Sequence, residues 1–212
     1  MDILKEIAEQ LQRGEEERVG ELTREAIHRG LPPKEILERG LIAGMNVIGE
    51  QFREHEIFLP DVLLAAKAMY AGMDELRPLL VKEGIPPAGK VVIGTVQGDL
   101  HDIGKNLVGI MLKGAGLEVV DLGNDVPPAR FVEAAMASGA TVIGMSALLT
   151  TTMPVMGKVV ALLRERGLAG KVRTVVGGAS VSAEFAREIG ADAYAYDSAN
   201  AVERVKALLG VA

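Results

Sequence analysis

Gly98-Asp99-Leu100-His101-Asp102-Ile103-Gly104-Lys105-Asn106 decides how the rest of the chain is read. Before it, Lys90-Val91-Val92-Ile93-Gly94-Thr95-Val96 is short, rich in β-branched residues and bounded by polar turn chemistry, the pattern of a buried strand. After it, Asn106 to Lys113 has the pattern of a helix. His101 is thus expected in a strand-to-helix loop at the carboxyl end of the first strand of an α/β unit, the edge where open α/β sheets bind ligands. Asp99, two residues earlier, can reach one ring nitrogen, fix the tautomer and make the other nitrogen a better metal ligand. Taken alone, a single loop histidine is more often solvated or locally hydrogen-bonded than ligating.

Working outward, alternating strand and helix patterns continue to the C-terminal end. Strands are expected at 90–96, 117–122, 141–146, 171–176 and 192–195, with helices near 104–115, 128–138, 153–166, 182–189 and 199–209. Five βα units without a hairpin signal imply a parallel sheet wound with helices on both faces. The flavodoxin-like strand order 2-1-3-4-5 places its switch point between strands one and three. Strand one ends at Asp99-x-His101 and strand three at Ser146-Ala147-Leu148, so two motifs distant in sequence are expected to line one crevice.

Upstream, the pattern is helical. Ile3, Leu4, Ile7, Ala8 and Leu11 share one face; Val19, Leu22, Ala26 and Ile27 share a second. Pro32 and Pro33 suit the start of a third helix carrying Ile36, Leu37, Leu41, Met45, Ile48 and Phe52. Ile57 to Asp61 turns into a fourth that runs to about Val81. Short connections imply an antiparallel four-helix bundle. The expected organisation is a helical domain 1–83, a Pro- and Gly-containing linker 84–89 able to hinge at its ends, and an α/β domain 90–212.

Composition narrows the function classes. The 212 residues are 49% hydrophobic but only 3% aromatic, so aliphatic side chains and Met must fill the core. A net charge of −6 argues against a nucleic-acid surface. The absence of Cys removes disulfides, thiolate metal sites and thiol catalysis together. The chain starts directly in amphipathic pattern, and its longest apolar runs are too short to span a bilayer, so a cytoplasmic protein without a membrane partner is expected.

Asp99-x-His101-x-x-Gly104 resembles the DxHxxG motif of the cobalamin-binding domain of methionine synthase and of the corrinoid methyltransferase proteins. Ser146-Ala147-Leu148 matches the family's SxL, separated from Gly104 by 41 residues, and Gly177-Gly178 matches its GG, separated from Leu148 by 28 residues. Three motifs in order at fitting spacing are far more specific than one. The resemblance implies that His101 is the lower axial cobalt ligand, in place of the cofactor's own base. It implies that Asp99 holds the far ring nitrogen and that Thr152, six residues after Ser146, continues the relay with a hydroxyl where the family has Ser. Gly98, Leu100, Asp102, Ile103 and Gly104 complete the ligand loop. The implied pocket for the cofactor's nucleotide tail is made by Gly144, Ser146, Leu148, Thr150, Gly177, Gly178, Ser198 and Ala199, with Tyr196 and Asp197 beside it. The three glycines would leave room for the tail or, on the plainer reading, serve turn geometry.

The helical segment resembles the cobalamin cap of the same family through Gly44 to Phe52 and Phe58-Leu59-Pro60. Phe52 and Leu59 match positions that cover the corrin, with Val62 nearby, and Glu38 matches a position near the cofactor. Each has a plainer alternative, a core position for the apolar residues and a solvated charge for Glu38. His28 and His55 are expected at the surface.

By this resemblance the chain is a methyl-carrying corrinoid protein, a subunit rather than a complete enzyme. It would carry cobalamin as methylcobalamin or cob(I)alamin between a donor-side and an acceptor-side methyltransferase, served by a corrinoid-reactivating protein. Methanol, methylamines, betaines and aryl methyl ethers all remain possible donors. A cobalamin-dependent sensor is the alternative, but it calls for a basic helix-turn-helix that the acidic bundle lacks. Mutases keep their radical chemistry in a separate barrel. A phosphoacceptor using Asp99 or Asp102 leaves the SxL and GG spacing unexplained.

Overall fold

Val91, Val92 and Ile93 are 0%, 0% and 2% exposed, which requires the strand they form to be covered on both faces. In the computed structural model, which describes residues 2–211, this strand lies inside a five-stranded parallel sheet ordered β2-β1-β3-β4-β5. The strands are β1 (Lys90–Thr95), β2 (Glu118–Asp121), β3 (Val142–Ser146), β4 (Arg173–Gly177) and β5 (Ala193–Ala195). The expected five βα units and strand order are therefore present.

Successive side chains of a strand point to opposite faces, so each strand feeds two cores. Val92, Ile143, Met145 and Val176 pack under Phe131 and Val132 of α7 (Pro128–Ser138), Met156 of α8 (Pro154–Glu165) and Ala186 of α9 (Ala183–Ile189). Val91, Ile93, Val142 and Val175 pack on the other side with Leu112 of α6 (Ile103–Gly114) and Val205 of α10 (Ser198–Leu209). The β-branched runs are long enough to serve both cores and too short to be helices.

The strand register also builds one row at the carboxyl edge. Thr95 aligns with Ser146, Ser146 with Gly177, and Gly177 with Ala195. The loops that carry the three motifs leave from this row.

The helical unit comprises α1 (Ile3–Gln12), α2 (Glu16–His28), a third helix and α5 (Leu59–Lys82). Asp2 caps α1 by accepting from the Leu4 N–H, and Asp61 accepts from the Phe58 N–H at the start of α5. The third helix departs from the regular one expected. It starts as a short α turn, α3 (Pro33–Glu35), continues as a π-helical run over Ile36–Ile42, and becomes α4 (Ala43–Arg53). Ile36 and Leu41 are both fully buried. Five residues apart in an α-helix, they would point about 140° apart. The wider π turn brings them back toward one face. Gly40 and Gly44 then admit α1, since a Cβ on them would stand 3.1 Å from Ile7 and 3.0 Å from the Ala8 carbonyl.

Between Lys82 and Lys90 there is no helix or strand. Gly89 is not a free hinge, as its carbonyl accepts from the Glu118 N–H and Leu209 lies against its α-carbon. Among the described residues no helix is long and apolar enough to cross a membrane.

One polar residue interrupts the bundle core. Thr23 is fully buried in α2, and its hydroxyl has no hydrogen-bond partner among the described residues. A buried hydroxyl without a partner costs free energy that an isosteric methyl does not. Thr23→Val is expected to raise the apo protein's stability by about 0.5–1 kcal/mol, measured by urea unfolding; a loss of stability would show that the hydroxyl is satisfied.

Candidate functional site

The loop after β1 turns at Gly98, where φ is +86°, and delivers Asp99 into the interior at 0% exposure while leaving the His101 side chain 53% exposed. The Asp99 carboxylate is the convergence point of the site. Its Oδ1 accepts from the His101 backbone N–H at 3.1 Å and meets His101 Nδ1 at 2.7 Å. Its Oδ2 accepts from the Leu148 and Leu149 backbone N–H groups at 2.8 and 3.2 Å and from the Thr152 hydroxyl at 2.8 Å. The Leu149 carbonyl lies 2.9 Å from the same hydroxyl and shares its single proton. The residues after β1 and those after β3, some 50 positions apart, thus meet on one carboxylate.

Burial by itself would push the Asp99 carboxyl up. The bonds from the His101 ring and backbone, the Leu148 N–H and the Thr152 hydroxyl outweigh it and hold the group well below the usual carboxylate range. Asp99 is therefore an anion at neutral pH. Facing this anion at 2.7 Å, Nδ1 is the nitrogen of His101 that donates, and in the neutral ring that tautomer leaves the lone pair on Nε2.

Leu100 and Ile103, on the same loop as the imidazole, are 68% and 75% exposed, and Leu148 and Leu149, whose backbone N–H groups bond Asp99, are 38% and 41% exposed. Thr95, fully buried, donates its hydroxyl to the His101 carbonyl at 3.1 Å and restrains the backbone beneath the ring. Among the described residues no group of three His, Cys, Asp or Glu could hold a bare metal ion. One oriented imidazole, with no further side-chain ligands grouped beside it among the described residues, suits a metal that brings its own equatorial ligands, so these residues fit a corrin cobalt.

The other expected site residues fall into three groups. Ser146, Leu148, Thr150, Gly177 and Gly178 lie at or just beyond the carboxyl row, together with Ser198 and Ala199 at the start of α10. Ser198 Oγ is buried there without a partner among the described residues, as is Oδ1 of Asn200, a residue that sequence reading did not single out. Orphaned polar atoms at this edge fit a ligand that brings polar groups to it. Asp197 instead caps α10 by accepting from the Asn200 N–H at 2.7 Å, and the Asp102 carbonyl accepts from the Asn106 N–H at 2.7 Å to start α6.

At the three glycines the structure shows close approaches within the protein itself. A Cβ on Gly178, where φ is +126°, would lie 2.0 Å from the Ala147 carbonyl oxygen. On Gly177 it would lie 2.8 Å from the Ala195 carbonyl oxygen, and on Gly144 3.2 Å from Ile93. At Gly177 and Gly178 the close neighbour is a backbone carbonyl at the carboxyl edge, so glycine there lets the end of β4 approach the adjoining segments, while at Gly144 it is the Ile93 side chain of the paired strand.

The third group lies in the helical unit. Val62 is fully buried in the bundle. Glu38 is exposed beside Lys34 at 3.7 Å, a solvated helix pair. Phe52 and Leu59 are half-buried, Phe58 is 70% exposed, and His28 and His55 are at the surface. Sequence reading also missed the Lys105 ammonium, buried and within 2.7 Å of both carboxylate oxygens of Asp121. The backbone donors of Leu148 and Leu149 have no side-chain signature that could have revealed them.

Asp99→Asn exchanges one acceptor oxygen for an NH2 group that must face donors. It is expected to cost about 1–3 kcal/mol at neutral pH. Because the folded carboxyl titrates below its unfolded value of about 3.9, the wild-type advantage is full above that value. It is lost as pH falls toward the folded value. Chemical unfolding at several pH values should give a gap that is flat from pH ~8 to ~5 and narrows below ~4; a gap that widens in acid would contradict the assignment.

Comparison with known proteins agrees with this geometry. Residues 89–206 match a family described as B12 binding domain, and residues 3–77 match a second family with the same description. A corrinoid protein of Desulfitobacterium hafniense is 41% identical over 99% of both chains. Dimethylamine corrinoid protein 1 of Methanosarcina acetivorans is 48% identical over 84% of both. Among solved structures, a chain of the methanol:cobalamin methyltransferase complex MtaBC from Methanosarcina barkeri superposes with a TM-score of 0.88 at 32% identity, covering 99% of this chain and 80% of that one. The three motifs, the sheet order that joins them on Asp99 and these matches lead to one conclusion: the chain belongs to the family of B12-binding corrinoid proteins.

Proposed function

We propose that this chain binds cobalamin through Nε2 of His101 and carries a methyl group between partner methyltransferases. The observation that supports it most is the Asp99 carboxylate, which ties the His101 ring to Leu148, Leu149 and Thr152 in one hydrogen-bonded set. The relatives' names, a dimethylamine corrinoid protein and a methanol:cobalamin methyltransferase complex, support the class of reaction and the class of partner. Bound cobalamin supplies a cobalt that can accept and release a methyl group.

The chain's own residues do the rest. Asp99 holds the Nδ1 proton of His101 and keeps the Nε2 lone pair directed by a fixed ring. The Thr152 hydroxyl lies 2.8 Å beyond on the same carboxylate, so His101, Asp99 and Thr152 form a line along which a proton can be held or shifted as ligand strength changes. Thr in place of Ser keeps the hydroxyl and adds a methyl that is buried with the rest of the side chain. Ser146, Ser198 and Ala199 at the carboxyl edge are the residues for the nucleotide tail. In the helical unit, Phe52 and Leu59 remain the cofactor contacts, since their half-burial leaves them apolar surface to offer. A donor-side methyltransferase, an acceptor-side methyltransferase and a reactivating protein are the partners of this reading.

His101→Ala, reconstituted with cobalamin and reduced to the cob(II) form, should lose the axial nitrogen splitting in electron paramagnetic resonance while the apo protein stays folded, with a modest loss of stability from the donor removed from Asp99. An unchanged nitrogen pattern would falsify the ligand assignment.

Leu59→Ala separates a cofactor contact from a core position. A core Leu→Ala change costs about 2–5 kcal/mol. The expected result is a smaller loss in apo unfolding together with faster aerobic photolysis of the methylcobalamin-loaded protein. Strong destabilisation with unchanged photolysis would return Leu59 to the core.

A further inference from the structure

The Asp99 network orients the imidazole, but Asp99 and His101 both ride on a loop that begins with a glycine at φ +86°. A ring fixed to a carboxylate is only as well placed as the backbone carrying that carboxylate. The segment between β2 and α7 restrains this backbone from outside. It runs alongside β1, with the Leu122 N–H donating to Ile93, the Gly123 carbonyl accepting from Thr95 and the Val126 N–H donating to the Thr95 carbonyl. Between these bonds the chain turns at Asp125, a non-glycine residue at φ +53°. Asp tolerates that left-handed conformation better than most side chains.

The turn aims Asp125 at the ligand loop from both ends of the residue. Its carboxylate Oδ1 accepts from the Gly98 N–H at 2.7 Å. Its own N–H donates to the Asp99 carbonyl at 3.1 Å. Asp125 therefore grips the two residues that lead into Leu100 and His101, across 27 positions of sequence. The turn itself is braced behind Asp125, where the Gly123 N–H donates to Asp121 at 2.9 Å and the buried Lys105 ammonium meets both oxygens of the same Asp121. The Asp125 side chain is exposed, so burial of apolar surface does not explain it.

We infer that Asp125 is a positioning residue for His101: it holds the Gly98–Asp99 backbone so that the axial imidazole is presented in one orientation. This rests on the reading of His101 as the cobalt ligand. Asp125 touches neither the imidazole nor the cofactor in this account, and its effect is transmitted through Gly98 and Asp99.

The test uses the full chain with three substitutions. Asp125→Gly keeps the left-handed backbone and removes the acceptor. Asp125→Asn keeps both an acceptor oxygen and tolerance of positive φ. His101→Ala tests the underlying ligand assignment on its own. In apo protein, amide exchange at Gly98 should accelerate in Asp125→Gly, stay near wild type in Asp125→Asn, and thermal unfolding should change little in either. In the cob(II) form, the ratio of imidazole-coordinated to uncoordinated cofactor, read from the axial nitrogen splitting, should fall about ten-fold in Asp125→Gly, the size expected of a lost outer contact to a metal ligand. Asp125→Asn should restore it. A wild-type coordination ratio in Asp125→Gly overturns the proposal. So does failure of that variant to fold, since the contact would then serve the sheet, and so does an Asn variant that behaves like the Gly one. If wild type shows no axial nitrogen, or His101→Ala retains it, the ligand assignment itself has failed and Asp125 loses its role with it.

Discussion

A buried carboxylate needs donors, and Asp99 collects its five from the two loops that follow the neighbouring strands β1 and β3. The requirement is strict because an ionised group at 0% exposure without partners would neutralise or force the fold to rearrange. Satisfying it docks the loop after β3 against the loop after β1 and fixes the tautomer and angle of a solvent-facing imidazole at the same time. The cost of burying the charge is thus offset by the bonds that define the site, so one network serves both stability and ligand presentation.

That network is possible because the sheet is parallel and its strands end in register. Thr95, Ser146, Gly177 and Ala195 form one row, so every loop that follows them starts from the same height. With all βα loops on one edge, chemistry distributed along more than 100 residues of sequence gathers in a single place. Gly177 and Gly178 belong to this logic, since their missing side chains let the end of β4 approach the Ala147 and Ala195 carbonyls. A bulkier residue there would push apart the strand ends whose alignment the site needs.

The helical unit is organised by different rules. Its stability comes from apolar faces that meet across α1, α2, α5 and the third helix, with Val62, Met69 and Leu76 buried from α5 alone. The π-helical run at Ile36–Ile42 shows packing overriding the regular hydrogen-bond pattern to keep Ile36 and Leu41 on the buried side. Apolar residues left outside that core, Phe58 above all, are the surface this unit can offer to other molecules.

By itself the sequence determined the alternation of strand and helix and the residue types that carry the chemistry, and it made one sheet order the natural expectation, which the structure then supplied. These follow from local periodicity, from turn residues and from the rarity of an Asp-x-His pair among apolar neighbours. Ser146-Ala147-Leu148 and Thr152 could be placed near His101 because the strand order implied it. Tertiary structure alone decided which atoms meet. The Leu148 and Leu149 donors are backbone groups that every residue possesses, so no side chain advertises them. Asp125 reads as ordinary turn chemistry until a neighbouring loop is seen 2.7 Å away. The full burial of Val62 is likewise set by helices that close over it. In each case the deciding quantity is a distance set by register and loop closure between segments far apart in the chain, and residue-by-residue patterning does not encode it.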